Sequence, residues 1–579
     1  MTASEHRTTP SDPSVLRLLR PGRRSAAALA AAVTAATALP LAAPQITRRF
    51  VDDAIGGAGL RHLTLIALGY LALAVAGQAA RMVTAWLASR LAWDGTNRLR
   101  ERLAGHALGL DLDFHGRHTP GELIERVDGD VVAVADFVVA FLLDVVAGAL
   151  LLAGVVVVVF GVDWRVGCAL LAYCLLIGYA MARAQRLAVP SAARSRAAGA
   201  TLFGALEERL AGAEDIRANG AGAHTVRRFH QVGAALFRAE ERDARIGTVL
   251  LAGTSVAFAA GTAIMLGLAA WTVQAGTLTV GTAVLLFQYT LMVRAPFERL
   301  IDQIRRYQAA LAGLARIGAL LAERRTLAPG TRPLPPSGPL GLRLDDVAFS
   351  YPGDDEQVLS GVGLALAPGE TLGLVGRTGS GKSTVARLVL RLYDPVEGAV
   401  RVGGVDLREA DPVSLRGRVG IVTQDVQLFA GSVRDNLTLF RPTPGDERLR
   451  EALTQVGLGA WLAALPDGLD TELRGVSAGE AQLIAFARAF LADPGLVVLD
   501  EASSRLDPAT ERRIEESVDR LLTGRTGVII AHRLSSLAKV DKIAVLDQGK
   551  VVEYGRRADL AADPGSRFGR LLDLAGVRR

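Results

Sequence analysis

The chain has 579 residues, of which 50% are hydrophobic and only 21% are charged, and its formal net charge is +6. Soluble domains carry about 25% charged residues, so this composition, with a mean hydropathy of +0.29, argues against a purely soluble or disordered protein. The positive charge is almost entirely arginine, and no dense basic run contains interleaved aromatics, so we predict no nucleic-acid partner. The two cysteines lie in one apolar stretch, which excludes a disulfide scaffold and a cysteine-rich zinc site.

The N-terminal part begins with a polar tail and a first apolar run. Residues 1–24 are polar and arginine-rich, which predicts a cytoplasmic tail. The uncharged run 25–47 is long enough to cross a bilayer, which takes roughly 20 residues. Arginines before it and Leu41-Ala42-Ala43 within it also resemble a twin-arginine signal peptide. We favour a membrane helix, because the run ends in two prolines and a helix-like segment instead of a polar cleavage region.

Five further apolar spans complete a membrane domain predicted over residues 25–323. They lie near 63–91, 131–162 and 166–182 and twice within the uncharged run 246–293. That last run breaks around 275–281. The segments after the second and fourth spans are long, charged and helical in pattern, and their arginines place them in the cytoplasm.

The composition and the hydrophobic pattern of the sequence change after the last span. Residues 324–341 are rich in proline and glycine, which predicts a linker. Residues 342–579 show short β-rich runs, glycine-bounded turns and amphipathic helices. This alternation is typical of an α/β domain.

A glycine-rich loop in this second domain gives the clearest indication of a binding site. Its sequence is Gly376-Arg377-Thr378-Gly379-Ser380-Gly381-Lys382-Ser383, the P-loop pattern, with a strand before it and a helix after it. The glycines let backbone N–H groups close around phosphates, and the helix dipole adds to the attraction. We expect Lys382 to reach the β- and γ-phosphates of ATP, Ser383 to hold Mg²⁺, and Thr384 to complete the ATP-binding loop.

A buried apolar strand ends in two acids, Asp500 and Glu501. Such a strand places Asp500 beside the P-loop, where it orients Mg²⁺ through water, and leaves Glu501 to polarise the attacking water. Without a P-loop, the same pair would equally well cap a strand at the surface. The predicted fold class is an α-helical polytopic membrane domain of six long helices followed by an α/β P-loop NTPase domain.

With these motifs the chain resembles the ATP-binding cassette (ABC) exporters, specifically a half-transporter with one six-helix membrane domain and one nucleotide-binding domain. The resemblance implies that Tyr351 stacks on adenine and that Gln424 contacts Mg²⁺ and the attacking water. It further implies that Asp507 faces the partner subunit and that His532 contacts the γ-phosphate. The implied catalytic set is Lys382, Gln424, Glu501 and His532, and the implied Mg²⁺ ligands are Ser383, Gln424 and Asp500.

The family's signature peptide, Leu-Ser-Gly-Gly-Gln, stands here as Val476-Ser477-Ala478-Gly479-Glu480. In the family this peptide closes over ATP held by the other subunit, which makes Ser477 and Gly479 ATP-binding residues. Ala478 adds a methyl group where backbone approaches closely, and Glu480 puts a carboxylate near phosphate. The preceding stretch 470–475 is shorter than is usual in these exporters. The resemblance also makes 113–123 and 212–220 the intracellular loops, of which the first docks on a nucleotide-binding domain; the alternative is a solvated helical hairpin.

Few residues of the membrane domain indicate a substrate. Asp144 lies in an apolar span, where acids usually face a bundle interior or a cavity. We expect Asp144 to pair with Arg81, and a role in a substrate cavity is the alternative. Gln288 and Arg294 are further candidates for the lining of a cavity.

The predicted function is an ATP-hydrolysing subunit that exports a small molecule, peptide or lipid-like substrate across the cytoplasmic membrane. The nucleotide-binding domain would lie in the cytoplasm, and two half-transporters would form a dimer in the lipid bilayer. We favour a heterodimer, because an altered signature accompanies an intact Glu501 and His532. An ATP-driven importer and an ATP-gated channel or receptor subunit are the alternatives, whereas a soluble cassette ATPase conflicts with six apolar spans.

Overall fold

The computed structural model describes residues 22–354, 356–442, 444–500, 508–531 and 534–574. The chain divides into two compact units. The first unit comprises the residues up to 109 together with 119–323. The second comprises 110–118 together with the residues from 324 onward, so a short piece of the predicted membrane domain belongs to the second unit.

Long helices form the first unit. In chain order the helices up to the linker are α1 (Arg23–Ile55), α2 (Leu60–Leu108), α3 (Leu112–Arg117), α4 (Pro120–Ile124), α5 (Asp130–Ala140), α6 (Ala147–Val162), α7 (Trp164–Ala211), α8 (Ala213–Ala218), α9 (Gly222–Gln274), α10 (Val280–Met292) and α11 (Arg294–Ala322). Of these, α3 belongs to the second unit. Two π-helical segments, Glu125–Gly129 and Phe141–Val146, make α4, α5 and α6 one continuous helical path.

Within the part of the chain that the structure describes, six helical segments are long and apolar enough to cross a membrane, which confirms the predicted number of spans. Helices α2 and α9 contain 49 and 53 residues. At 1.5 Å per residue they are about 74 and 80 Å long, well beyond the roughly 30 Å of a hydrocarbon core. The break predicted in the run 246–293 lies between α9 and α10, where the Thr279 hydroxyl accepts from the Thr282 N–H and caps α10.

Helix α1 continues through the stretch that resembled a cleavage region. Pro40 and Pro44 both lie inside the helix, which ends only at Ile55. Proline removes a backbone donor from a helix interior, so the carbonyls four residues earlier, at Ala36 and Pro40, lose their usual helical partner. The Tyr289 hydroxyl of α10 donates to the Leu41 carbonyl at 2.6 Å, which ties the proline-containing stretch to a neighbouring helix.

A buried ion pair joins α5 to α11. Asp130 is 1% exposed, and its carboxylate accepts from two nitrogens of Arg316, with Nε at 2.8 Å from Oδ2. The helices approach closely beside it, because a Cβ on Gly313 would lie 3.1 Å from the Asp130 carbonyl oxygen. A paired and hydrogen-bonded charge is the form in which a carboxylate tolerates burial.

The described residues of the second unit form two sheets. The strands are β1 (Leu342–Ser350), β2 (Gln357–Leu366), β3 (Thr371–Gly376), β4 (Glu397–Val402), β5 (Val405–Asp406), β6 (Val419–Val422), β7 (Leu496–Asp500), β8 (Thr526–Ile530), β9 (Lys542–Asp547) and β10 (Lys550–Arg556). One sheet is antiparallel with the order β2-β1-β4-β5. The other has the order β10-β9-β3-β8-β7-β6 and is parallel except for β10 at its edge.

Helices pack on the parallel sheet and against one another. They are α12 (Lys382–Val389), α13 (Pro412–Arg418), α14 (Val433–Thr438), α15 (Asp446–Gln455), α16 (Gly459–Ala464), α17 (Ala478–Ala492), α18 (Pro508–Leu522), α19 (Arg557–Ala562) and α20 (Arg567–Leu574). Successive residues of a strand point to opposite faces, and along β7 they enter two different hydrophobic clusters. The parallel sheet is therefore buried on both faces, as the apolar runs of its strands require.

Candidate nucleotide-binding site

The P-loop connects the end of β3 to the start of α12. Gly379 and Gly381 adopt φ angles of 81° and 101°, which side chains rarely tolerate. A Cβ on Gly376 would lie 2.3 Å from the Leu546 carbonyl oxygen, so glycine is required there for packing. The sequence thus forms the strand, loop and helix that the motif needs.

Lys382 lies over this loop. Its side chain is 5% exposed, and Nζ donates to the Gly376 carbonyl at 2.7 Å and to the Arg377 carbonyl at 2.9 Å. Ser380 contributes a buried hydroxyl that has no hydrogen-bond partner among the residues the structure describes. A buried cation and an unsatisfied hydroxyl in one glycine-rich loop are suited to an anionic oxygen ligand such as phosphate.

Hydrogen bonds hold Tyr351 against the first turns of α12. Its hydroxyl lies 2.9 Å from the Thr384 hydroxyl and accepts from Arg387 Nη1 at 2.8 Å. Its ring meets those of Phe349 and Tyr393 edge-on, with centroids 5.0 and 5.4 Å away. Arg387 and Tyr393, the groups that orient Tyr351, were not predicted from the sequence. Arg387 lies one helical turn beyond Thr384, a spacing that could have indicated it.

Two other predicted residues lie at the same edge of the parallel sheet. Asp500 is the last residue of β7, and Gln424 follows the end of β6 and is exposed. Because β3, β7 and β6 run parallel, their carboxyl ends share the edge where the P-loop lies. This is the edge at which open α/β sheets bind ligands.

Three predicted site residues fall outside the residues that the structure describes. They are Glu501, Asp507 and His532. Their roles therefore stay predictions that rest on the motif order.

The altered signature peptide forms the start of α17. Ser477 is the N-cap, and a capping box links its side chain and backbone with Glu480. Gly479 is buried, and a Cβ there would lie 2.4 Å from Thr510 Cγ2, so this glycine is needed for contact with α18. Ala478 is exposed, so its extra methyl group causes no strain within this unit. The spacing of Ser and Glu could have revealed the capping box from sequence.

The short stretch before the signature is held against the start of α14. The Val433 N–H donates to the Thr471 carbonyl at 3.0 Å, and the Leu473 N–H donates to the Gly431 carbonyl at 2.9 Å. Arg434 donates to Asp470 at 2.8 Å and also pairs with Asp446. The hydrogen bond from Arg434 holds the pKa of Asp470 below its usual range. The shortened stretch is thus anchored by backbone bonds and by one arginine.

The segment 110–118 contacts the linker within the second unit. The Asp111 carboxylate accepts from the Thr326 backbone, from the Thr326 hydroxyl at 2.9 Å and from the Leu327 N–H at 3.2 Å. Phe114 in α3 is 4% exposed. This segment overlaps the predicted first intracellular loop. The predicted second loop contains the short helix α8 of the first unit.

The predicted pairing of Asp144 with Arg81 is wrong. Asp144 lies in the second π-helical segment and accepts from Gln303 Nε2 of α11 at 2.8 Å, with Arg299 Nη1 3.6 Å away. Arg81 instead donates to Gln78, three residues earlier on α2, at 2.6 and 3.1 Å. Neighbours on one turn are always within reach, whereas the π-helical segment directs Asp144 toward α11.

Asp144 also lines a cavity in the first unit. The cavity measures about 620 Å³ and lies between α2, α5 with its following π-helical segment, and α11. Asp136, Trp93 and Arg306 contribute to its lining. The predicted candidates Gln288 and Arg294 are not part of it. Arg294 instead pairs with Glu298 at 2.6 Å.

We expect a double-mutant cycle to detect the Asp144–Gln303 contact. Asp144→Ala and Gln303→Ala should couple by about 0.6 kcal/mol in the free energy of unfolding, the average for hydrogen bonds between membrane helices, and by no more than about 1.7 kcal/mol. Asp144→Ala and Arg81→Ala should be additive within about 0.5 kcal/mol, because the two side chains share no contact. Denaturant unfolding of the purified protein in detergent gives both values. Coupling to Arg81 in place of Gln303 would contradict the observed contacts.

The fold and the P-loop together define a membrane-embedded P-loop NTPase. A family model described as "ABC transporter transmembrane region" matches residues 27–297, and one described as "ABC transporter" matches residues 359–504. The chain is 32% identical over 516 residues to an ATP-dependent lipid A-core flippase of Thiobacillus denitrificans, covering 87% of this chain and 88% of the flippase. The chain belongs to the ABC transporter family.

Two further similarities agree with this assignment. The chain is 32% identical over 577 residues to a multidrug efflux ATP-binding/permease protein of Mycobacterium tuberculosis, covering 98% of this chain. This chain spans only 48% of the length of that relative. A solved bacterial Atm1-family ABC exporter with ATP bound superposes with a TM-score of 0.77 at 26% identity, covering 97% of this chain and 99% of the exporter. The predicted fold class and the predicted multi-pass membrane location are thereby confirmed.

Proposed function

We propose that this chain hydrolyses ATP and couples hydrolysis to export across the cytoplasmic membrane. The observation that carries the proposal is the P-loop with its buried Lys382, joined in one chain to six helices that can cross a membrane. The relatives named as an efflux protein and a flippase support export over import. Transported substrates of amphipathic character fit the apolar and charged lining of the cavity beside Asp144.

The residues of the site have distinct proposed roles. The P-loop amides, Lys382 and Ser380 bind phosphates, and Tyr351 supplies a ring for the adenine. Ser383, Gln424 and Asp500 hold Mg²⁺, which when bound neutralises charge on the β- and γ-phosphates. Glu501 accepts a proton from the attacking water, and His532 donates a hydrogen bond to the γ-phosphate. These residues act by positioning the reactants and by balancing charge, and no covalent intermediate with the protein is required.

The signature peptide supports a dimeric site. Ser477 caps the start of α17 at an exposed position, and a helix N-terminus suits a phosphate from a second subunit. We infer a dimer in which each signature covers ATP on the other subunit's P-loop, with both nucleotide-binding domains in the cytoplasm. Asp507 would then lie at the subunit boundary.

We further propose that the partner is a different half-transporter. The signature of this chain is altered at Ala478 and Glu480, whereas Lys382, Asp500, Glu501 and His532 keep the residue types of an active site. A heterodimer would place the altered signature at one ATP site only. Ser477, Gly479 and the helix after them are retained, so a homodimer remains chemically feasible.

The subunit composition can be measured on the complex from native membranes. We expect a second half-transporter to co-purify with an affinity-tagged copy of the chain from its own host. Native mass spectrometry should then show the two proteins in equal amounts. A homodimer with robust ATP turnover that is insensitive to Ala478→Gly combined with Glu480→Gln would contradict the heterodimer.

The proposed function predicts basal ATP turnover by the same complex in nanodiscs. Turnover should require Mg²⁺ and should be inhibited by vanadate, which mimics the phosphoryl group in transfer. An ATP-gated channel would bind ATP with little turnover, so the same assay separates the two classes. Absence of Mg²⁺-dependent turnover in the intact complex would contradict the proposal.

A further inference from the structure

In the signature peptide, the Glu480 carboxylate already accepts hydrogen bonds from groups that are expected to contact ATP. The Ser477 hydroxyl donates to Glu480 Oε2 at 2.7 Å. The Ser477 backbone N–H donates to the same oxygen at 2.9 Å, and the Glu480 N–H donates to Ser477 Oγ at 3.3 Å. The only proton of this hydroxyl is thus directed at a carboxylate within the same turn.

The surrounding contacts keep this carboxylate at the end of the helix. Gly479 packs against Thr510 of α18 on the buried side of the turn, while Ser477 and Ala478 are exposed on the other side. Glu480 is half-buried. The carboxylate therefore neutralises the positive end of the α17 dipole, the feature that attracts phosphate.

We propose that Glu480 is a positioning residue that lowers the affinity of this signature for ATP, because its carboxylate competes with the γ-phosphate for the Ser477 hydroxyl and the start of α17. The inference rests on the proposed role of Ser477 in covering ATP on the other subunit. Two anions cannot both take the same hydroxyl proton, and like charges at one helix end repel. Closure over nucleotide then requires the Ser477–Glu480 bond to open.

Three replacements at this position separate charge from capping. Glutamine keeps an acceptor for the capping box and removes the charge. Aspartate keeps the charge, and alanine removes both the charge and the acceptor. Glu451→Gln is the matched control, because Glu451 is an exposed carboxylate on α15 that contacts Gln455.

The test is an ATP titration of the full-length complex in nanodiscs, with turnover and equilibrium binding of radiolabelled ATP measured in parallel. We expect Glu480→Gln to lower the half-saturating ATP concentration about fivefold, the effect of removing one charge at a helix N-terminus. Glu480→Ala should lower it to a similar extent and should also lower the Tm, because it loses the capping box. Glu480→Asp and Glu451→Gln should stay within about twofold of wild type.

The possible results are distinguishable. A half-saturating concentration that is unchanged in Glu480→Gln, with a lowered Tm only in Glu480→Ala, would show that Glu480 merely caps the helix and would overturn the inference. The proposed function would survive that result as long as turnover is lost on Lys382→Ala. A wild-type complex with neither Lys382-dependent turnover nor ATP binding would overturn both.

Discussion

Replacing Lys382 by alanine is expected to remove most ATP binding and, with it, ATP turnover. The ammonium group already lies over the loop carbonyls of Gly376 and Arg377, so it is placed to meet phosphate oxygens in the ground state as well as during hydrolysis. Hydrogen bonds to charged groups contribute about 1.5 to 3 kcal/mol each, which corresponds to a loss of affinity of roughly 10- to 150-fold per contact. Binding of radiolabelled ATP by the intact complex measures this loss directly.

Two controls separate this effect from misfolding. Lys382→Met preserves most of the buried volume of the side chain and should lose binding to the same extent as alanine. Lys550→Ala removes an exposed lysine at the start of β10 and should leave binding unchanged. Normal ATP affinity in both Lys382 variants, with an unchanged Tm, would exclude Lys382 from the phosphate site.

Glu501→Gln is expected to abolish steady-state hydrolysis while ATP binding persists. The carboxylate is proposed to accept a proton from water, a role worth about 10²- to 10⁴-fold in rate, and it adds little to nucleotide affinity. Turnover and retention of ATP by the closed complex should therefore change in opposite directions. Glu515→Gln removes an exposed carboxylate from α18 and should change neither quantity.

The result for Glu501→Gln also tests the order of the motifs. Turnover that is unaffected by the substitution would exclude Glu501 as the residue that polarises water. Equal loss of ATP binding and turnover would show that Glu501 binds nucleotide and does not act in catalysis.

The sequence was most informative where the signal is local. Long uncharged runs predicted six spans, because a bilayer imposes a minimum length on any apolar helix. The P-loop was predicted from its glycines, because phosphate-binding backbone geometry permits few other residues. The charged ends of α2 and α9 carry no membrane signal, and their helical pattern alone predicted that helices continue beyond the bilayer.

Contacts between segments that are distant along the chain could not be predicted from the sequence. Asp144 bonds to a residue 159 positions away, and only the packing of α11 against the π-helical segment selects Gln303 over Arg81. The orientation of Tyr351 similarly depends on α12, which supplies both Thr384 and Arg387. The Ser477–Glu480 capping box could have been predicted from the spacing of the two residues alone.

Transport into inverted membrane vesicles tests the central claim most directly. The nucleotide-binding domains face outward in such vesicles, so ATP and a solvent extract of the native host cells can both be supplied from outside. ATP-driven export predicts that at least one compound of the extract accumulates inside, by mass spectrometry, and that accumulation is lost in Lys382→Ala and Glu501→Gln. ATP-dependent depletion of a preloaded extract, or turnover without movement of any compound, would contradict export.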